Sequence, residues 1–225
     1  MPQNKITILK EDFQSKVFPS NITADVANVI RSYGGIFVEP LKGYAGVGFE
    51  FPTVPGKEYS IKFTIDIGNT ATQNEPTVTA SDGYPGAAVP QVDFPVTASG
   101  TYTIKYTGDS DGRLKFYYKK HLTPAAFTIS ALEIYVEDPN MDFSVINSQT
   151  APFILARLKS NLENNYKLVL DNILLAFRGN DHEDTPTYEA RMENVRKMRD
   201  LFLRLEKYNS GAPAANELDG LTLDF

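Results

Sequence analysis

The sequence contains no cysteine and no tryptophan, and only two histidines among its 225 residues. Without cysteine there can be no disulfide, no thiolate metal site and no cysteine nucleophile. The absence fits a reducing compartment without requiring one. His121 and His182 lie in different segments, and neither has a second histidine at metal-ligand spacing, so both are read as solvated surface groups. Positive charge is also in deficit. The formal net charge of −6 gives nucleic-acid binding no electrostatic support. No run of about 20 apolar residues occurs, and Met1–Lys10 lacks the apolar core of a secretory signal. Neither a membrane nor a nucleic-acid partner is therefore expected. Without a signal, the glycosylation triplet Asn21-Ile22-Thr23 reads as chance.

What the chain has in quantity is tyrosine and phenylalanine, which suit the pleated surface of a sheet. Up to Asp138-Pro139-Asn140 the segments are short, β-branched and aromatic. Expected strands are Lys5–Leu9, Gly35–Glu39, Val47–Phe51, Tyr59–Ile67, Thr77–Ala80, Val92–Val96, Thr101–Thr107, Arg113–Tyr118 and Phe127–Val136. Turn signals such as Pro55-Gly56, Asp82-Gly83 and Ser99-Gly100 separate them. Ala24–Tyr33 reads either as a short helix capped by Thr23 or as another strand. Strands at this spacing, with no long helices between them, predict a mainly β domain over residues 1–138, an antiparallel β-sandwich or jelly roll.

Gly100–Tyr118 is the clearest segment. Tyr102, Ile104 and Tyr106 alternate with Thr101, Thr103, Lys105 and Thr107, the period of a half-buried strand. Leu114 and Phe116 resume the alternation after Gly108-Asp-Ser-Asp-Gly112, so the segment reads as a hairpin. The same loop spells Gly-x-Ser-x-Gly. A nucleophile elbow needs a helix after the serine, whereas a strand pattern comes after Ser110, and catalysis there is not expected. Asp109 and Asp111 could chelate a calcium ion in this turn, although the rest of an EF-hand loop is missing. Glu50, Asp66 and Glu133 show no pattern that pairs them for glycoside chemistry.

After Thr150 the period becomes helical, through Leu155, Leu158, Leu162, Tyr166, Val169 and Ile173. A second helix starts at Thr185-Pro186 and runs to about Tyr208. The two predict a linker and antiparallel helical hairpin over residues 139–208, with Glu193–Lys197 and Arg196–Asp200 as supporting charge pairs. Met198 and Leu201 beside Phe202 suggest a second apolar face on that helix, for the β domain or for another chain. In the extended tail of residues 209–225, Leu218, Leu221, Leu223 and Phe225 alternate with polar residues, as a docking strand would.

Among loops and strand ends, Tyr33, Tyr44, Tyr84, Tyr117 and Tyr118 are candidates to stack on a sugar ring. Tyr84, Tyr117 and Tyr118 are singled out, because adjacent strand residues face opposite ways and one of the last two should be exposed.

Gly43–Phe63, with its Pro55-Gly56 turn before an aromatic strand, resembles the opening half of a galactose-binding-like jelly roll of the carbohydrate-binding-module type. Gly100–Tyr106 with Leu114-Lys-Phe116, and Phe127–Val136, resemble its later strands. The resemblance covers residues 5–138 and implies a non-enzymatic domain, found in polysaccharide-degrading enzymes and in virion proteins of tailed bacteriophages. Sugar-binding members use tryptophan, which this chain lacks. The resemblance therefore implies a virion structural protein, made in the host cytoplasm and held to other virion proteins and to copies of itself. Met198, Leu201, Leu218, Leu221, Leu223 and Phe225 would be its contacts, with no cofactor beyond the calcium ion. The alternative is a carbohydrate-binding module of a host-recognition device.

Overall fold

The structure, a computed structural model, describes residues 3–13, 22–32, 34–68, 75–81, 91–108, 111–118, 125–162 and 185–209. The chain divides into two compact units, Thr7–Glu137 and the combination of Met1–Ile6 with Asp138–Phe225. The strands among the described residues are β1 (Lys5–Glu11), β2 (Ile22–Asp25), β3 (Ala27–Ser32), β4 (Gly35–Pro40), β5 (Gly46–Pro52), β6 (Glu58–Asp66), β7 (Pro76–Ser81), β8 (Gln91–Pro95), β9 (Gly100–Thr107), β10 (Asp111–Tyr118) and β11 (Phe127–Glu137). A six-stranded sheet runs β3-β4-β11-β6-β9, with β1 also on β11, and a five-stranded sheet runs β2-β5-β10-β7-β8. From β4 to β11 the chain changes sheet at every connection except β7 to β8, which makes the sandwich a jelly roll.

The alternation that predicts each strand also fills the space between the sheets. Tyr59, Ile61, Phe63 and Ile65 on β6 are buried, as are Val47, Phe49 and Phe51 on β5 and Leu114 and Phe116 on β10. Aromatic rings dominate this layer. Phe63 meets Phe116 edge to face at 5.2 Å, and Phe51 meets Tyr59 at 6.1 Å and Tyr106 at 6.2 Å. Each such contact adds about 0.5–1.5 kcal/mol to the burial of the rings themselves. The Tyr59 hydroxyl is satisfied at the edge of the layer, where the Val54 N–H donates to it at 2.6 Å.

One expectation needs correction. Gly100–Tyr118 is not a hairpin: β9 pairs with β6 in one sheet, while β10 lies between β5 and β7 in the other. The loop between them is a corner that crosses the sandwich. Alternation and turn residues describe both arrangements equally well; which strand each one pairs with is a long-range property. The corner is pinned to the Pro55-Gly56 turn, with the Gly56 N–H donating to the Gly108 carbonyl at 2.7 Å and the Gly108 N–H to the Lys57 carbonyl at 3.0 Å. Of residues 24–33, read as a short helix or another strand, the described ones are strand: the end of β2 and all of β3, joined through Val26, whose φ is 47°.

In the second unit, the Asp138 N–H donates to the Asn4 carbonyl and the Phe143 N–H to that of Gln3. Helix α1 begins at residue 151 and is described to 162. Asn147 precedes it, its side-chain oxygen accepting from the N–H groups of Gln149 at 2.9 Å and Thr150 at 3.1 Å. Helix α2 is Thr185–Asn209. Residues 163–184 and the tail from 210 lie outside the described residues.

The second apolar face expected on α2 is also corrected. Val195, Met198, Leu201 and Leu205 are all buried, and at about 100° per residue they form one stripe. Met198 and Leu201 are thus covered within the single chain and are not open to a neighbour. Among the described residues, Glu193 pairs with Arg196 instead of Lys197, and Asp200 with Arg204 instead of Arg196.

The corner yields a test. A Cβ on Gly112 would come within 2.5 Å of the Phe51 ring, which is itself locked between Tyr59 and Tyr106. Gly112→Ala should cost about 1–3 kcal/mol through overpacking, read as a lowered denaturation midpoint at unchanged slope.

Candidate functional site

The pleat of β10 sends Leu114, Phe116 and Tyr118 into the core and leaves Arg113, Lys115 and Tyr117 on the outer face of the five-stranded sheet. Register then assembles that face in rows. One row is Asp25, Gly46, Tyr117, Thr77 and Pro95; the next is Thr23, Gly48, Lys115, Thr79 and Asp93; the third is Glu50, Arg113 and Ser81. Nearly every position is polar or glycine. A groove of about 280 Å³ opens over Thr23, Asp25, Gly48, Glu50, Ser81, Arg113 and Lys115. Gly48 forms part of its floor, where a Cβ would come within 2.9 Å of the Thr23 hydroxyl oxygen.

The polar groups are fixed by one another. Arg113 pairs with Glu50 at 3.2 Å. The Lys115 ammonium binds the Asp25 carboxylate, donates to the Tyr44 carbonyl at 3.0 Å and lies 5.3 Å from the centre of the Tyr117 ring. Thr79 donates its single hydroxyl proton to Asp93 at 2.6 Å, which leaves the Tyr117 hydroxyl as donor in the 3.2 Å contact between Tyr117 and Thr79. These ion pairs add little stability in water, but they hold donors and acceptors in place along the groove.

Tyr44 does not line the groove but adjoins it through Lys115, which lines it and holds the Tyr44 carbonyl. Tyr44 is 48% exposed and stacks on Tyr117 at 6.2 Å with the rings 26° apart. Its φ is 62°, a region that a bulky residue enters at a cost on the order of 1–2 kcal/mol. The Tyr44 N–H donates to the Tyr118 carbonyl at 2.7 Å, and Lys115 holds its carbonyl, so the backbone is gripped on both sides of the strained residue.

The residues singled out from sequence fare differently. Tyr117 is 2% exposed and Tyr118 3%, so neither is the open strand tyrosine that the alternation predicts. Tyr117 does lie on the outer face, but Tyr44 and Lys115 cover it. Tyr118 points into the core against Phe127 at 6.0 Å. Its buried hydroxyl has no hydrogen-bond partner among the described residues, and burial pushes the phenol up to about 12. Tyr84, Asp109, Leu218, Leu221, Leu223 and Phe225 lie outside the described residues, as do Ser110 and both histidines. Asp111 opens β10 opposite Pro52, with its side chain outside the described set. The element directly after Ser110 is a strand, as the sequence suggests. Among the described residues no three His, Cys, Asp or Glu side chains gather as a metal site would require. Glu50 lies in the five-stranded sheet and Asp66 and Glu133 in the six-stranded one, so the three do not face one another across a cleft.

Sequence reasoning misses the groove residues because each is unremarkable alone. Their signal is the polar half of the alternation on β5 and β10, which becomes a surface only when these strands are known to be neighbours; on β7 the matching positions Thr77, Thr79 and Ser81 are buried.

A separate cluster lies at the end of β1. Burial, with Asp12 nearby, raises the Glu11 carboxyl to about 7, against a smaller opposing effect of Arg31. Arg31 also donates to the Phe13 carbonyl at 2.8 Å.

No protein-family model matches the sequence, and neither does any curated protein. Among solved structures, the chain is similar to the CBM22-1–GH10 modules of endo-1,4-beta-D-xylanase 10B from Clostridium thermocellum complexed with xylohexaose. There the identity is 13% and the TM-score 0.46, over 63% of this chain and 30% of that one. It is similar to the CBM22-1 xylan-binding domain of a Paenibacillus barcinonensis xylanase, with 10% identity and a TM-score of 0.45, over 61% of this chain and 99% of that one. A third is the second N-terminal cellulose-binding domain of beta-1,4-glucanase C from Cellulomonas fimi, with 18% identity and a TM-score of 0.42, over 60% of this chain and 97% of that one. None of the described helices is long and apolar enough to cross a membrane.

The burial pattern gives two expected outcomes. Tyr118→Phe removes an unsatisfied buried hydroxyl and should leave stability unchanged or raise it by about 1 kcal/mol in a denaturant titration. Glu11 binds its proton more tightly folded than unfolded, so stability should fall as pH rises from about 4.5, its ordinary value, to about 7. Glu11→Gln should flatten that slope, by about 2–3 kcal/mol between the two ends, in melts recorded across the range.

Proposed function

We propose that this chain is a non-enzymatic carbohydrate-binding module whose ligand lies along the outer face of the five-stranded sheet. The observation that carries the reading is Tyr44. The fold keeps a bulky side chain at positive φ, grips its backbone on both sides and leaves its ring half exposed beside Lys115, which lines the polar groove. Strain maintained in this way belongs to residues with a task.

The chemistry of the groove suits a sugar. A pyranose offers hydroxyls around its rim and an apolar face of C–H groups. Arg113, Lys115, Glu50 and Thr23 supply charge-assisted and neutral hydrogen bonds for the first, and the Tyr44 ring supplies a platform for the second. The groove's side chains are already oriented by Glu50–Arg113 and Asp25–Lys115, so little is lost in ordering them on binding. Its carboxylates hold cations and a threonine hydroxyl, which are roles of position and not of reaction. Tyrosine takes the stacking role here in a chain without tryptophan.

The virion reading draws on the apolar surplus of α2 and on the alternating tail. The α2 stripe is buried within the chain, and the tail lies outside the described residues. Neither offers an observation in favour of assembly.

Affinity electrophoresis and calorimetry against a panel of soluble polysaccharides test the reading. At least one should bind, and Tyr44→Ala should weaken that binding about ten-fold, with Tyr44→Phe retaining it and the thermal melts of both variants close to the parent. Absence of binding across the panel, or binding indifferent to Tyr44, would overturn it.

A further inference from the structure

We infer that the Tyr44 side of the groove takes a 6-deoxyhexose, with the C6 methyl group of the sugar seated on an apolar lip formed by Val26 and Leu41. The inference rests on the saccharide reading of the groove and narrows its substrate.

Val26 is 45% exposed and Leu41 59% exposed. The Leu41 N–H donates to the Val26 carbonyl at 3.0 Å, so the turns that carry them are joined. Val26 directly follows Asp25, whose carboxylate holds Lys115, and the same ammonium holds the Tyr44 carbonyl. The lip and the stacking ring are therefore carried on one hydrogen-bonded frame. Of the three non-glycine residues at positive φ among those described, two belong to it: Val26 at 47° and Tyr44 at 62°. A β-branched residue is rarer there than almost any other. The fold thus holds an apolar side chain outward, one residue along the chain from the groove-lining Asp25, at a conformational cost.

The lip is too small for a protein partner, since a stable interface covers about 800 Å² on each side. It is the right scale for one substituent of a sugar whose ring lies on Tyr44. The groove proper offers hydrogen-bonding groups at nearly every position, whereas the side chains of the lip offer none. A hydroxymethyl group placed there would give up water without replacement. A methyl group loses nothing polar and leaves water behind. An acetyl ester brings a carbonyl that needs a donor, and the Leu41 N–H is already engaged.

The test is a titration of the full chain against matched oligosaccharides whose terminal sugar differs only at C6, L-fucosyl against L-galactosyl and L-rhamnosyl against L-mannosyl, with an O-acetylated glycan as a third arm. One 6-deoxy member should bind roughly ten-fold tighter than its partner. Val26→Thr with Leu41→Ser should bring that affinity down to the level of the 6-hydroxy partner. Leu41→Ser alone, at an exposed turn, serves if the double variant melts early. Equal affinity within each pair, with binding still dependent on Tyr44, overturns this inference and leaves the saccharide reading standing. A preference for the acetylated glycan overturns it as well. A chain that binds no glycan of any kind overturns both.

Discussion

The edge-to-face contact between Phe63 and Phe116 joins the central strands of the two sheets, and the rest of the domain is arranged around it. Phe116 is on β10, the middle strand of the five-stranded sheet, and Phe63 on β6, next to β11 in the other. Phe49 meets Phe116 from β5, and Phe94 meets Phe63 from β8. Because side chains alternate along a strand, fixing Phe116 inward fixes Lys115 and Tyr117 outward. A slip of one residue would bury Lys115 and expose the aromatics. The core layer therefore determines the groove: the same pleat that stacks the rings places the polar rows on the opposite surface.

Lys115 then organises that surface. Its ammonium is mostly covered and meets three groups: a carboxylate from β2, a carbonyl from the turn before β5, and the face of the Tyr117 ring. A single charge thereby ties together the strand that ends at Asp25, the strained Tyr44 and the hydroxyl chain that runs from Tyr117 through Thr79 to Asp93. The groove is built from partners that satisfy one another, so its shape does not wait for a ligand to impose it.

Strand positions and the sandwich are legible in the sequence because local alternation reports burial directly. Tyr102, Ile104 and Tyr106 face inward as their spacing requires, and the expected strand Val92–Val96 falls within one residue of β8. Pairing is not legible. The corner at residues 108–112 carries the same glycines and aspartates as a hairpin, and only the partners of β9 and β10 reveal the crossing. The tyrosines show the same limit. Period two correctly sends Tyr117 and Tyr118 to opposite faces, yet an outward position in the middle of a sheet is not an exposed one when Tyr44 and Lys115 lie over it. On α2, Met198 and Leu201 suggest a second face only while neighbours in sequence are compared instead of angles around the helix.

The crossing of sheets at successive strands has a consequence for how the groove comes into being. Asp25 and Lys115 are 90 residues apart, and Tyr44 and Lys115 are 71 apart. Every row of the polar face draws on segments distant in sequence, while the successive strands β9 and β10 do not pair at all. Closing such contacts is slow, because chain entropy is lost before the contacts compensate for it. The β2–β5 pair alone would carry Thr23, Asp25, Gly48 and Glu50 but lack the Arg113 and Lys115 that β10 supplies, so no such fragment carries the whole groove. A ligand held there can stabilise only the finished domain, so that occupancy of the site would report completion of folding as well as the presence of the ligand.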